Sequence, residues 1–418
     1  MKIAGIVAEY NPFHTGHGYQ IAQARENLGE DGAVIAVMSG NWVQQADCAI
    51  ADKWTRARLA LMGGADLVLE LPTPWAMSSA ESFARGATDI LAASGVVDVL
   101  SFGSECGDLD KLQRLAACLD NPSCQEGLRR FVDEGMPFAA ARQAAVRGLL
   151  GEELSGLLSK ANNNLGVEYI RALNALKSHI RPMTVRREGS GHNSVSSVLV
   201  RQEDGTCVSG PAAMDMPRFV SATQIRMDLM DGNWDRAEPY LGLGGRELLE
   251  GHTVGLPALT QVERAMLARV RTMTAGDWAK LPDSGEAEGL PKRLERAGRQ
   301  CASMEEFFAL AKTKRYTHAR LRRLVLWAYL GLTEADRPEC PPYLRVLGFS
   351  RRGREVLKEM KGRAALPILT KPAHARDLDE PGRRLFELEA RCTDLYDLCF
   401  QQVRTPGREW TTGPVMLD

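Results

Sequence analysis

The chain has 418 residues, of which 44% are hydrophobic and 25% charged, with a net charge of −1. Length and composition fit a soluble globular protein of two or three domains. The near-zero charge excludes a globally basic nucleic-acid binder, so any such surface is local. In chain order, short apolar runs at Ile3–Ala8, Ala33–Met38, Asp66–Leu71 and Val97–Phe102 predict strands. Helical patterns at Tyr19–Leu28, Lys53–Met62 and Glu81–Ala93 separate them. Strands alternating with helices of this length predict βαβ units around a parallel sheet. From about 108 to 180 apolar residues recur at three- and four-residue spacing, which predicts a helical insertion before a further strand at Met183–Arg186. Beyond Ser221 helices dominate, with a surface loop at Ser284–Pro291.

The first strand ends near Ala8, so residues 9–18 belong to the rim where parallel sheets bind ligands. There the chain reads His14-Thr15-Gly16-His17, using two of its seven histidines. A helix beginning near Gly16 or His17 offers free N–H groups and a positive dipole end to a phosphate. Gly16 lets an oxygen approach the backbone. His14 and His17 lie one turn apart and suit the growing charge of a displaced α-phosphate. A metal pair or two surface histidines is the plainer alternative, but no carboxylate-rich cluster accompanies them. Further on, "SATQIR" brings the hydroxyls of Ser221 and Thr223 together with the fixed cation of Arg226. That set suits the β- and γ-phosphates of ATP, or else caps a helix.

The HxGH motif resembles that of the nucleotidylyltransferase superfamily, which shares its fold with class I aminoacyl-tRNA synthetases. In order along nearly the whole chain, "AEYNPFHTGH", "MSGNWVQQAD", "DKWTRARLAL", "DLVLELP", "SFGSE", "NNNLGVEYIRAL", "KRYTHARLRRL", "YLRVLGFSRRGREVL" and "PILTKP" resemble the bacterial tRNA(Met) cytidine acetate ligases. The resemblance implies an α/β fold: a Rossmann-like parallel sheet of the nucleotidylyltransferase/class I synthetase type, with a helical insertion and a mostly helical C-terminal region. It implies an ATP-binding domain over 1–225 (insertion about 108–180) and a tRNA-binding region over 226–418. It also implies a two-step reaction. Acetate attacks the α-phosphate of ATP to give acetyl-adenylate, and the acetyl group passes to N4 of the wobble cytidine of elongator tRNA(Met).

Under the resemblance, His14 and His17 are catalytic. ATP contacts run along Val7, Ala8, Glu9, Tyr10, Asn11, Pro12, Phe13, His14, Thr15, Gly16, His17, Gly18, Tyr19 and Gln20, and include Gly103, Asn162, Arg187, Ser221, Thr223 and Arg226. Without it, Gly103, Asn162 and Arg187 read as a turn glycine, a helix cap and a surface cation. Two positions depart from the family pattern: Gln45 where a basic residue is usual, and Ala161 where proline is usual. The ATP contact in the asparagine run falls on Asn162 or its neighbour Asn163. Mg2+ is expected with ATP, with no dedicated protein ligands, and no other metal site is expected.

Residues 311–370 hold fourteen Lys or Arg against five Asp or Glu. This is a local footprint for phosphates, or a solvated helix face. Its first block, Lys312, Lys314, Arg315, Arg320, Arg322 and Arg323, is the expected tRNA surface. Tyr316 and His318 could stack on a base there, and Tyr316 equally suits a core. A small-molecule adenylyltransferase and an RNA-binding assembly factor with a degenerate pocket are the competing functions. The nine cysteines are odd in number and none is spaced as CxxC, which predicts reduced cytosolic thiols. A short apolar start and the lack of any long apolar run predict a cytoplasmic protein with no membrane partner.

Overall fold

Strand residues alternate between two covered faces in a computed structural model of the protein. The structure describes all residues except 30, 188–196, 202–206, 212–218 and 252–254; the side chains of 197–201, 207–211 and 287 also lie outside the described set. The chain runs β1 (Ile3–Ala8), α1 (Thr15–Leu28), β2 (Ala33–Ser39), β3 (Trp42–Val43), β4 (Asp47–Cys48), α2 (Lys53–Met62), β5 (Leu67–Leu71), α3 (Thr73–Ala76), α4 (Ala80–Ala93) and β6 (Val99–Ser104). The helices α5 (Leu109–Leu119), α6 (Pro122–Asp133), α7 (Phe138–Leu157) and α8 (Ala161–Ala175) form the insertion, followed by β7 (Arg181–Arg186), β8 (Ser197–Arg201) and β9 (Cys207–Pro211). The C-terminal half runs α9 (Ala222–Met230), α10 (Trp234–Ala237), α11 (Gly245–Glu250), α12 (Glu263–Thr272), α13 (Ala275–Ala279), α14 (Leu290–Gln300), α15 (Met304–Ala311), α16 (His318–Leu330), β10 (Leu344–Ser350), α17 (Arg351–Arg363), β11 (Ile368–Leu369), α18 (Glu380–Asp397), α19 (Arg408–Thr411) and β12 (Val415–Leu417).

Strands β5, β2, β1, β6 and β7 lie side by side in that order, all parallel. Both faces of such a sheet are covered, so its strands read as continuous apolar runs. Ile3, Ile35, Val37, Leu67 and Leu69 pack on α4 residues such as Phe83, Ala87 and Leu91. Their alternates Ala4, Ile6, Val34, Ala36 and Val68 pack on Ile21 and Ala24 of α1 and Ala57 and Ala60 of α2. At Gly5 a side chain would meet Leu91 Cδ2 at 2.7 Å, so α4 sits close over β1 because residue 5 is glycine. Strand order reverses between β1 and β6, and the crevice at that point is where open α/β sheets bind ligands.

The C-terminal half is mostly helical but returns three strands to this sheet. β10 pairs antiparallel with β5, and β11 and β12 pair with β10. The loop at 284–291 contains a short 3-10 turn at Glu286–Glu288. Eight cysteines are free, while the side chain of Cys207 lies outside the described residues. Among the described residues no helix is long and apolar enough to cross a membrane.

Candidate nucleotide site

The chain turns sharply after β1. Tyr10 has φ 47°, a left-handed conformation that costs a bulky residue about 1–3 kcal/mol. Packing holds it there: its buried ring meets Phe13 at 5.0 Å and His17 at 4.8 Å. The Phe13 ring occupies the space a side chain at Gly63 would need. Asn11 is a staple, its Oδ1 accepting from the Ile50 N–H at 2.7 Å. Val7, Ala8 and Glu9 are half-buried at the strand end, and Pro12 is buried. Glu9 Oε1 accepts from the Gln44 N–H at 2.8 Å. Burial pushes the Glu9 carboxyl up against the pull of that bond, Arg226 and Arg56.

Helix α1 starts at Thr15, earlier than the sequence pattern suggests, because His14 itself caps it. His14 Nδ1 accepts from the Gly16 N–H at 3.0 Å, and His17 Nδ1 accepts from the His14 N–H at 3.3 Å, a reciprocal capping box. A ring nitrogen that accepts carries no proton, so each imidazole bears its hydrogen on Nε2. The rings lie 3.8 Å apart. Burial, then the cations of Arg187 and Arg226, depress His14 to about 3. Burial, then His14 and Arg187, hold His17 well below the usual imidazole range. At neutral pH the site therefore presents two uncharged rings, and among the described residues neither Nε2 has a partner. A Cβ at Gly16 would lie 2.8 Å from His14 Cε1, so the glycine makes room for the capping ring. Thr15 Oγ1 is buried with no partner among the described residues, and Gly18 is buried within α1. Tyr19 stacks obliquely on Phe219 at 5.4 Å, and Gln20 Nε2 donates to the Ser101 carbonyl at 3.3 Å.

Across the switch point, the Arg187 side chain crosses β6 at Gly103, where a Cβ would meet its Cγ at 3.2 Å. Arg187 Nη1 donates to Asn162 Oδ1 at 3.1 Å. Asn163 instead is buried, accepting from the Cys106 N–H and donating to the Leu157 carbonyl, so Asn162 faces Arg187 while Asn163 ties α8 to the end of β6. SATQIR caps α9 and carries Arg226 to the β1–α1 turn. Ser221 Oγ accepts from the Gln224 N–H at 3.2 Å. Arg226 donates to the Asn11 carbonyl at 2.7 Å, to Gln45 Oε1 at 3.1 Å and to Thr223 Oγ1 at 3.2 Å. Gln45, the residue that departs from the family pattern, thus serves as an acceptor for Arg226.

The basic block splits. Lys312 Nζ donates to the carbonyls of Thr313 and Tyr316, and Arg320 donates to the Asp283 carbonyl and to Glu288 Oε2. Tyr316 is core: it is buried and its hydroxyl donates to the Glu288 carbonyl at 2.7 Å, which removes it as a stacking platform. Lys314, Arg315 and His318 are exposed, and Arg323 is half-buried. Arg322 lies against the β3–β4 hairpin, 3.6 Å from Asp47 Oδ2.

Two elements were not singled out from sequence. The Arg56 guanidinium is fully buried and donates to the carbonyls of Glu9, Ser39, Gly40 and Ala51, locking the ends of β1 and β2 together. Behind it lies a buried ionic hub. Lys53 Nζ is 2.6 Å from both Glu70 Oε1 and Glu409 Oε2, and Arg345 Nε is 3.7 Å from Glu409 Oε1. Glu389 accepts from the Thr73 N–H at 2.7 Å. Burial and the nearby Glu70 charge push Glu389 up to about 8. Burial would strip the Lys53 proton, but Glu409 and Glu70 outweigh it and raise the ammonium. The apolar periodicity of the sequence carries no sign of either cluster. Among the described residues no three His, Cys, Asp or Glu side chains converge as a metal site.

Parallel strands in the order β5-β2-β1-β6-β7 with an HxGH loop at their switch point are the frame of a nucleotidyl transferase. The family described as HIGH Nucleotidyl Transferase matches residues 1–409. Curated relatives named tRNA(Met) cytidine acetate ligase include one from Caldanaerobacter subterraneus subsp. tengcongensis, 36% identical over 96% of both chains, and one from Thermoanaerobacter sp. (strain X514), 33% identical over 98% of both. The crystal structure of Thermotoga maritima TmcAL bound with alpha-thio ATP superposes with a TM-score of 0.87 at 32% identity over the whole of both chains; its apo form gives 0.88 at 33%. The chain belongs to the tRNA(Met) cytidine acetate ligase family.

Proposed function

We propose that the protein is an ATP-dependent ligase that acetylates N4 of the wobble cytidine of elongator tRNA(Met). The observation that carries this is the pair of neutral imidazoles, each with its Nε2–H free, at the N-terminus of α1 on the switch point. An acetate oxygen attacks the α-phosphorus as pyrophosphate leaves, giving acetyl-adenylate. The cytidine N4 then attacks the acetyl carbonyl, AMP leaves, and the N4 proton passes to solvent. Neutral donors suit the first step. They stabilise negative charge on the phosphoryl oxygens without forming an ion pair with the acetate nucleophile. His14 and His17 address the α-phosphate; Ser221, Thr223 and Arg226 address the leaving pyrophosphate; Gly103, Asn162 and Arg187, with Val7 to Gln20, line the rest of the nucleotide. Mg2+ accompanying ATP would help neutralise the phosphate charge, with no dedicated protein ligands assigned to it. Residues 1–225, joined by Arg226, serve ATP, and the rest of 226–418 serves tRNA through the exposed members of the basic block. A cytoplasmic location goes with these substrates.

Incubation with ATP and labelled acetate, with and without tRNA, tests the whole reading. Label should appear in an adenylate without tRNA and move to tRNA when it is added. Absence of label from both overturns the proposal.

A further inference from the structure

Glu105 closes the SFGSE stretch, one residue beyond β6, and nothing so far gives it a role. Its carboxylate is fully engaged by one neighbour, the start of α8. Oε1 accepts from the Asn162 backbone N–H at 3.2 Å and from Asn162 Nδ2 at 2.8 Å, and Oε2 accepts from the Asn163 N–H at 2.7 Å. Burial raises this carboxyl, but the bonds from Asn162 and Asn163 outweigh it and hold it below the usual range. An amide has one donor end and one acceptor end. With Nδ2 held by Glu105, Oδ1 of Asn162 faces the opposite way, and there it accepts from Arg187 Nη1 at 3.1 Å. Arg187 is the cation that acts on both histidines. Its aliphatic stem lies close over Gly103, and among the described residues the Asn162 contact is the guanidinium's one hydrogen bond.

We infer that Glu105 is a positioning residue for Arg187, acting through the Asn162 amide to hold the guanidinium over the nucleotide rim beside His14 and His17. The relay also explains how the helical insertion reaches the site. Its last helix, α8, is tied to the end of β6 by this carboxylate and by Asn163, and its first polar side chain, Asn162, meets the cation. A flipped amide would present Nδ2 to Arg187, donor against donor, and release the guanidinium. The inference rests on the ATP reading of the rim but not on which carboxylate is activated.

A double-mutant cycle read by ATP affinity tests the relay. Glu105→Gln keeps the size but gives the Asn163 N–H or the Asn162 amide a donor to face. ATP affinity, measured by calorimetry without acetate, should fall by about ten- to a hundredfold, the range for losing one charge-assisted contact. In an Arg187→Ala background the same substitution should change ATP affinity by less than about twofold, because the cation it orients is gone. Glu105→Ala, which removes the acceptor altogether, serves as the second variant, with the same loss and the same collapse on the Arg187→Ala background. A helix-capping role alone would lower the melting temperature equally on both backgrounds and leave ATP affinity losses multiplicative. Multiplicative losses, or wild-type affinity in Glu105→Gln, overturn the relay. Acetate-dependent ATP–pyrophosphate exchange in the wild-type protein is followed in parallel. Its absence sinks the acetate reading while ATP affinity still reports on Glu105.

Discussion

The histidine rim after β1 and the hub around Lys53 are reached from the same strand ends, yet they treat charge in opposite ways. The rim keeps its two imidazoles neutral and leaves a donor on each, with Arg187 and Arg226 held at its edges. The hub brings three carboxylates, Glu70, Glu389 and Glu409, to two cations, Lys53 and Arg345, and burial with the excess of negative charge pushes Glu389 and Glu70 toward their protonated forms. A site prepared for an incoming anion leaves donors free. A scaffold consumes its own. The chemistry of a cluster is therefore read from what its atoms already bind, not from how many charges it holds.

The largest effect should come from breaking the hub. Lys53→Met removes the ammonium from between Glu70 and Glu409 and leaves buried carboxylates unpaired. Such truncations cost about 3–5 kcal/mol. Urea unfolding should register most of that loss, and a Lys53→Met protein as stable as wild type would mean the hub reorganises freely.

The rim should break differently. His17→Ala removes one Nε2–H donor, and loss of such a donor typically lowers the chemical step by about 10²–10³, or about 3–4 kcal/mol. ATP affinity should change less, since the contact strengthens as charge develops. Substituting either histidine also removes one half of the capping box on α1, worth about 1 kcal/mol, so the rate is read beside a melting temperature. Acetate-dependent exchange at the wild-type rate in His17→Ala would remove the histidines from the mechanism.

The two clusters should also pull the stability curve in opposite directions with pH. His14 is depressed from 6.5 to about 3, so the unfolded chain takes the proton more readily; its contribution is whole above pH 6.5 and is lost as pH falls through 3. Glu389 is raised from 4.5 to about 8, so the folded state keeps the proton; its contribution is whole below pH 4.5 and is lost as pH rises through 8. His14→Asn, which still caps a helix, should flatten the acid limb of a melting-temperature profile. Glu389→Gln should flatten the limb between 4.5 and 8. Unaltered limbs in both variants would contradict the burial that sets these two groups.

The contrast also separates what local sequence carries from what it does not. The parallel core was legible because β1, β2 and β5 are buried on both faces and read as unbroken apolar runs. The helix α2 follows the expected Lys53–Met62 bounds. The rim was legible because the motif from Tyr10 to His17 is contiguous and makes its own cap. The strand β10 was not, because Leu344–Ser350 is ordered by pairing with β5, nearly three hundred residues earlier. The hub fails for the same reason: Lys53 and Glu409 meet across almost the whole chain. Glu105 was visible within SFGSE, but its partners lie 57 and 58 residues away, and no periodicity marks a carboxylate that caps a distant helix.

The smallest effects belong to the basic block, where the same test of what is already bound sharpens the expected tRNA surface. Lys312 and Arg320 are committed to neighbouring carbonyls and Glu288, so their substitution should register first as stability. Arg315 is exposed, with only a 3.7 Å approach to Glu288, and surface pairs of that kind contribute little. Arg322 stands against Asp47 in the same hairpin whose Gln45 binds Arg226, so it joins the block to the nucleotide rim. Arg315→Glu should weaken tRNA binding and lower the slope of log K against log salt by roughly 0.9 if its contact is to duplex phosphate. Acetyl-adenylate formation without tRNA should be untouched. Arg322→Glu should do the same to tRNA and also slow adenylate formation, because it places a carboxylate beside Asp47 and within the field of Arg226. The parallel assays are pyrophosphate release without tRNA and acetyl transfer with it. Equal behaviour of the two variants in both assays would mean the hairpin does not couple the block to the rim. Wild-type salt dependence in Arg315→Glu would move the tRNA surface elsewhere.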